Sequence, residues 1–160
     1  MILPLLLAVD FMNFNYSVTP CSNVPPPVLV RKGTYSYFDQ KMGTGFDVSL
    51  SKVKLGSLSA GRQQAVVVLS CDFPIGGTAE AFAYDIRGNA ALLLGAVGSA
   101  NWGGDWGEGP DSIHITFRSN LLYVDSCKDD ECTTREVRTY ALRAGKLVRL
   151  YVQTHKSTDP

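Results

Sequence analysis

An all-β fold of two successive antiparallel four-stranded meanders, packed as a sandwich or a blade-like pair, is what this sequence predicts, and three observations predict it. First, Gln64-Ala-Val-Val-Val-Leu-Ser-Cys71 is a continuous apolar, β-branched run. Such a run reads as a central strand buried on both faces. Second, the chain on either side falls into short strand-like segments separated by Gly, Asn and Pro turns. Third, no stretch sustains a 3.6-residue apolar period for three turns, so little helix is expected. The 160 residues, 45% hydrophobic and 19% charged, fit a single folded domain over 9–160 that is long enough to bury a core.

In chain order, Asn13–Val18 alternate, with Phe14, Tyr16 and Val18 on one face and Asn13, Asn15 and Ser17 on the other. That is the pattern of a half-buried strand. Pro20 ends it, and Pro25-Pro26-Pro27 makes a stiff extended connection. Val28-Leu-Val30 and Thr34-Tyr-Ser-Tyr-Phe38 flank a basic turn at Arg31-Lys-Gly33 and read as two short strands. After the glycine-containing loop 39–45, Phe46, Val48 and Leu50 point inward, followed by Val53 and Leu55 one residue out of phase. A bulge at Ser51 or Lys52 absorbs the slip. The first meander then runs from this strand through 64–71, 79–85 and 90–94, with a tight hairpin turn at Arg87-Gly88-Asn89. The second meander is read over 112–118, 121–126, 135–142 and 146–153, with turns at Ser119-Asn120 and Arg143-Ala-Gly145.

Cysteine usage and the N-terminus set the compartment. Cys127 and Cys132 bracket the polar loop Lys128-Asp-Asp-Glu131, a spacing that suits a hairpin-pinning disulfide, and Cys21 and Cys71 pair by elimination. The longer bridge closes a loop of about fifty residues and stabilises by roughly 4 kcal/mol in the chain-entropy picture. Zinc is the competing use of these residues. The chain has no C-x2-C pair, and His114 and His155 lack ligand spacing to any cysteine, so no metal or other cofactor is expected. Met1-Ile-Leu-Pro-Leu-Leu-Leu-Ala8 reads as a truncated signal-peptide-like segment, too short for the about 20 apolar residues that span a bilayer. A secreted or periplasmic protein without integral membrane association follows from these features. Fifteen basic and fifteen acidic residues cancel, so no global field draws the chain to nucleic acid.

The residues also carry a family likeness. Asp10-Phe-Met-Asn-Phe-Asn-Tyr16 followed by Pro20-Cys21 resembles the opening of small secreted bacterial proteins of unknown function. The unit 55–95, with its Val-rich strand ending in Cys71 and its Tyr84-Asp85…Gly88 hairpin, resembles the domain of LppP/LprE-type lipoproteins and is similar to a single FG-GAP propeller repeat. The resemblance implies a secreted β-domain. Calcium is not carried over, because Gly56-Ser-Leu-Ser-Ala-Gly-Arg-Gln63 offers no carboxylate where the FG-GAP turn holds several. Lipid anchoring is not carried over either, since no cysteine directly follows the apolar N-terminal stretch.

The stretch richest in binding chemistry is Ala100-Asn-Trp-Gly-Gly-Asp-Trp-Gly-Glu-Gly-Pro-Asp111, which gathers both tryptophans, three carboxylates and glycine in one predicted inter-strand loop. An aromatic face with hydrogen-bonding groups beside it binds the apolar face of a sugar or anchors a protein interface. Trp102, Asp105, Trp106 and Glu108, assisted by Tyr35 and Tyr37, are therefore the predicted binding residues, with an envelope glycan or an extracellular protein as partner. Folding back of the two tryptophans to plug the open end of the β-core is the competing reading. A non-catalytic binding module is the expected function. A glycan hydrolase using Asp105 and Glu108, and a secreted inhibitor that blocks an enzyme cleft with this loop, are its alternatives. Ser112 and His114 lie two apart on a predicted strand but no Gly-x-Ser-x-Gly elbow accompanies them, and His114 is expected on the solvent face. The acids Asp125, Asp129, Asp130 and Glu131 read as a solvated hairpin tip, and Arg138, Arg143, Lys146 and Arg149 as a charged edge that discourages aggregation.

Overall fold

The computed structural model describes residues 9–103 and 109–157. The predicted signal-like segment 1–8 lies outside them. Eleven strands occur among the described residues: β1 (Asn15–Tyr16), β2 (Val28–Leu29), β3 (Thr34–Asp39), β4 (Thr44–Ser59), β5 (Arg62–Phe73), β6 (Gly76–Arg87), β7 (Ala90–Gly103), β8 (His114–Arg118), β9 (Leu121–Cys127), β10 (Thr134–Arg143) and β11 (Lys146–Lys156). Short 3-10 turns at Phe11–Asn13 and Gly109–Ser112 are the only helical elements described. Strands β3 to β7 form one antiparallel meander of five, β8 to β11 a second of four, and β1 and β2 a separate pair. The fold is thus all-β, as predicted, with a fifth strand in the first meander. Thr34–Asp39 pairs with β4 rather than with the segment before it. The basic turn survives only as a bridge between Arg31 and Thr34, because Val28–Leu29 is recruited by β1.

Strand β5 sits in the middle of the five-stranded sheet and its two faces meet different neighbours. Ala65, Val67, Leu69 and Cys71 lie with Phe82 and Tyr84 of β6 in one buried cluster, completed by Val9, Phe11, Tyr16, Val24, Val28 and Val30 of the N-terminal segment. Val66 and Val68, with Ala79, Ala81 and Ala83 of β6, lie in a second cluster with Ile113, Ile115, Leu122, Val124 and Tyr140 of the four-stranded sheet. The molecule is therefore three layers: an irregular N-terminal cap, the five-stranded sheet and the four-stranded sheet. This explains why 65–69 is apolar at every position, since period-two alternation would leave one layer without a core.

The irregularities of the sequence pattern have visible causes. The register of β4 on β5 shifts between Leu50 and Lys52, so Ser51 is the extra residue that the phase slip requires. Lys52 emerges from that bulge to donate from Nζ to the Ile113 carbonyl of the opposite layer (2.8 Å), and the Tyr140 hydroxyl donates to the Val97 carbonyl (3.1 Å). At Gly56 the inner face has no room for a side chain, because a Cβ there would lie 2.0 Å from the Phe117 ring. The hairpin turns at Ser119-Asn120 and Ala144-Gly145 have positive φ at both central residues (53° and 59°; 49° and 75°), the twist that two-residue hairpins favour. Both predicted disulfides are present, Cys21–Cys71 tying the cap to β5 and Cys127–Cys132 closing the turn after β9. No helix among the described residues is long and apolar enough to cross a membrane.

Candidate functional site

Strand β7 extends to Gly103, which moves Trp102 out of the predicted loop and into the sheet. Correct reading of this residue needed its register: Trp102 pairs with Gly77 of β6. Gly77 pairs with Asp72, Asp72 with Asp47, and Asp47 with Ser36. Cross-strand partners project from the same face, so Ser36, Asp47, Asp72, Gly77 and Trp102 form one row across all five strands. The next row inward, Ser49, Ser70, Ala79 and Ala100, already faces the inter-sheet core. The row that ends in Trp102 is thus the first beyond the margin of that core.

Trp102 is half-buried and packs against the second core cluster. Its indole lies over Gly77, where an added Cβ would stand 2.2 Å from the six-membered ring. Only glycine admits that seat. The plug and platform readings of this residue therefore meet in one geometry: one side of the ring closes the end of the core and the remainder stays accessible.

The chain on both sides of 104–108 is anchored to the Cys127–Cys132 hairpin. Asn101 donates from its side-chain amide to Asp130 (3.3 Å). On the far side, Arg135, almost wholly buried, donates from Nη2 to the Ser112 carbonyl (2.5 Å), from Nε to Asp125 (2.8 Å) and from Nη1 toward Cys132 Sγ (3.3 Å). Asp129 accepts from the Thr133 and Thr134 amides (both 2.8 Å) and the Thr133 hydroxyl, and those hydrogen bonds hold its carboxyl below the usual range. The acids at this hairpin tip thus organise a turn, and no group of three or more metal-binding side chains occurs among the described residues. Ser112 is buried in the 3-10 turn with its hydroxyl on the Gly109 carbonyl, so it is neither on β8 nor directed at the exposed His114.

Of the predicted binding residues, Asp105, Trp106 and Glu108 lie outside the described residues. Tyr35 and Tyr37 are not brought to Trp102. They pair with Val48 and Phe46, project to the cap side of the sheet and sit on β3, the edge opposite β7. The row that ends in Trp102 instead carries Ser36, Asp47 and Asp72 on β3, β4 and β5. The Ser36 hydroxyl donates to Asp47 (2.7 Å). Burial and the neighbouring Asp47 charge push the Asp72 carboxyl up. Two like charges face each other on adjacent strands, an arrangement that destabilises a sheet unless something else requires it.

A buried polar cluster at the opposite end of β5 is structural by contrast. Burial raises the Asp85 carboxyl, and hydrogen bonds from Gln64 and Arg87 with the Arg62 charge outweigh it, leaving the group below the usual carboxylate range. Gln64 in turn accepts from the Leu58 amide (2.7 Å). Every member of this cluster has a partner within it. No family model matches the chain, and neither the curated proteins nor the solved structures provide a match.

Proposed function

We propose that the protein is a secreted or periplasmic, non-catalytic binding module that takes an envelope glycan at the Trp102 end of the five-stranded sheet. The observation that carries this reading is the half-exposed indole seated on Gly77 at the margin of the core. A ring fixed in that way offers a flat apolar surface that loses little freedom when a sugar stacks on it. Two disulfides in a chain of this size support residence in an oxidising compartment. The segment 104–108 supplies a second indole and two further carboxylates between the two anchored ends.

Tryptophan emission tests the reading, because both tryptophans lie within five residues of each other. Acrylamide quenching is measured before and after adding peptidoglycan fragments, chitooligosaccharides and xylan. Quenchable emission that one glycan shifts and protects is expected, and Trp102→Ala should weaken that glycan by roughly tenfold or more. Unquenched, blue-shifted emission that ignores every glycan would sink it. The double amide Asp105→Asn/Glu108→Gln separates the module from a hydrolase: affinity survives in a binder, whereas a hydrolase loses turnover.

A further inference from the structure

A second surface opens on the cap side of the same sheet, at the same end as Trp102 but on the opposite face. A cleft of about 340 Å³ lies where the segments 22–25, 42–46 and 73–75 converge. Its walls are Met42, Phe46, Phe73 and Ile75, with Asn23 and Thr44 as its polar groups. Phe46 and Phe73 are buried and half-buried, and their rings pack tilted with centroids 6.1 Å apart, forming an aromatic floor. The lips are open: Ile75 is 80% and Met42 59% exposed. Two exposed large apolar side chains over an aromatic floor mark an interaction site. Cys21–Cys71 fixes the chain immediately before one wall, so the cleft is preformed.

Over the Phe73-Pro74 ridge the cleft adjoins a shallow depression lined by Gly45, Asp47 and Asp72. Among the described residues neither carboxylate has a basic partner. The pair repels itself, and a cation from outside would relieve that repulsion. The cleft and the depression share Phe73 and Pro74 in their linings, and three residues of extended chain reach about 10 Å over that ridge.

We propose that this end of the sheet docks an extended segment of another protein, which inserts one large apolar side chain into the Phe46–Phe73 cleft and sets a lysine or arginine against Asp47 and Asp72. The apolar cleft supplies the anchor, and the paired carboxylates select the charge and the direction of the segment. The apolar cleft shares no residue with the Trp102 seat, whereas Asp72 lies in the same cross-strand row, next to Gly77.

The test is an amide-shift titration of isotope-labelled protein with three capped nonapeptides at roughly millimolar concentration, where even weak specific complexes are half occupied. One carries Phe and Lys three residues apart in a Gly/Ser background, the second replaces that Lys with Glu, and the third replaces the Phe with Ala. Shifts at Asn23, Thr44, Asp72 and Ile75 are expected from the first peptide, with about fivefold or greater weakening for each of the other two. Ile75→Glu and Asp47→Asn, both at exposed positions, should weaken the first peptide, and Ile75→Glu should do so without moving the tryptophan emission. No shifts, equal shifts from all three peptides, or shifts centred on Trp102 would overturn the proposal. So would concentration-dependent self-association through the cleft without peptide, which would assign it to a second copy of this chain.

Discussion

The two faces of β5 are buried equally well but by unlike partners, and β6 beside it records the difference. Toward the four-stranded sheet it presents Ala79, Ala81 and Ala83; toward the N-terminal cap it presents Phe82 and Tyr84. A flat, regular layer comes close enough that alanine fills the gap, whereas an irregular cap of 3-10 turn and two-residue strands leaves hollows that aromatic rings fill. Phe11, Phe14, Tyr16 and Tyr84 do so as a cluster of tilted and edge-on rings 4.9–6.4 Å apart. The sheet–sheet face is thus held by shape, and the cap face by bulk and a covalent tie.

Breaking the tie should have the largest effect. Cys21→Ala/Cys71→Ala removes the bridge across fifty residues and should lower unfolding free energy by about 4 kcal/mol. Denaturant titration reads that loss, and hydrogen exchange should show protection falling first in residues 9–30 while β8 to β11 keep theirs. Equal loss of protection in both layers would contradict the division drawn between the faces. On the opposite face, Gly56→Ala forces a methyl group against the Phe117 ring and should cost about 2 kcal/mol by overpacking. Combining it with Phe117→Leu should recover part of that cost, since residues in contact are not additive. The smallest effect is expected at Tyr84, whose buried hydroxyl has no hydrogen-bond partner among the described residues. Tyr84→Phe should change stability by less than about 0.5 kcal/mol, or raise it, whereas Tyr16→Phe removes a hydroxyl that donates to the Phe11 carbonyl (2.7 Å) and should cost about 1 kcal/mol. A large loss from Tyr84→Phe would mean that the cap face is more finely fitted than its aromatic packing implies.

What the sequence disclosed follows the range of each signal. Periods of two, turn residues and cysteine spacing act over a few positions, and they located most strands, the bulge at Ser51 and the short Cys127–Cys132 bridge. The alternation of Phe14, Tyr16 and Val18 against Asn13, Asn15 and Ser17 reappears in the burial of those residues, although only two of them make ladder bonds. Register between distant strands is a different kind of information. Nothing near Trp102 announces Gly77 as its partner, and nothing near Asp72 announces Asp47, because each pairing depends on every turn and bulge between them. Glycines at 103, 104 and 107 made the strand end look like the start of a loop. For the same reason no local pattern encodes that Tyr35 and Tyr37 project to the cap side from β3, the edge opposite β7.

In both large sheets every strand pairs with its immediate neighbours in the chain. Growth by successive hairpins needs only short loops to close, so each sheet can zip from any of its turns on the timescale of hairpin formation. The cap has no such route, since residues 9–30 must find a surface that exists only after β4, β5 and β6 have assembled. The order of events is therefore written into the topology. The sheets come first and the N-terminal segment closes over them last, bringing Cys21 to a Cys71 already fixed in place, so an oxidant added early would find Cys127 and Cys132 ready before the longer pair.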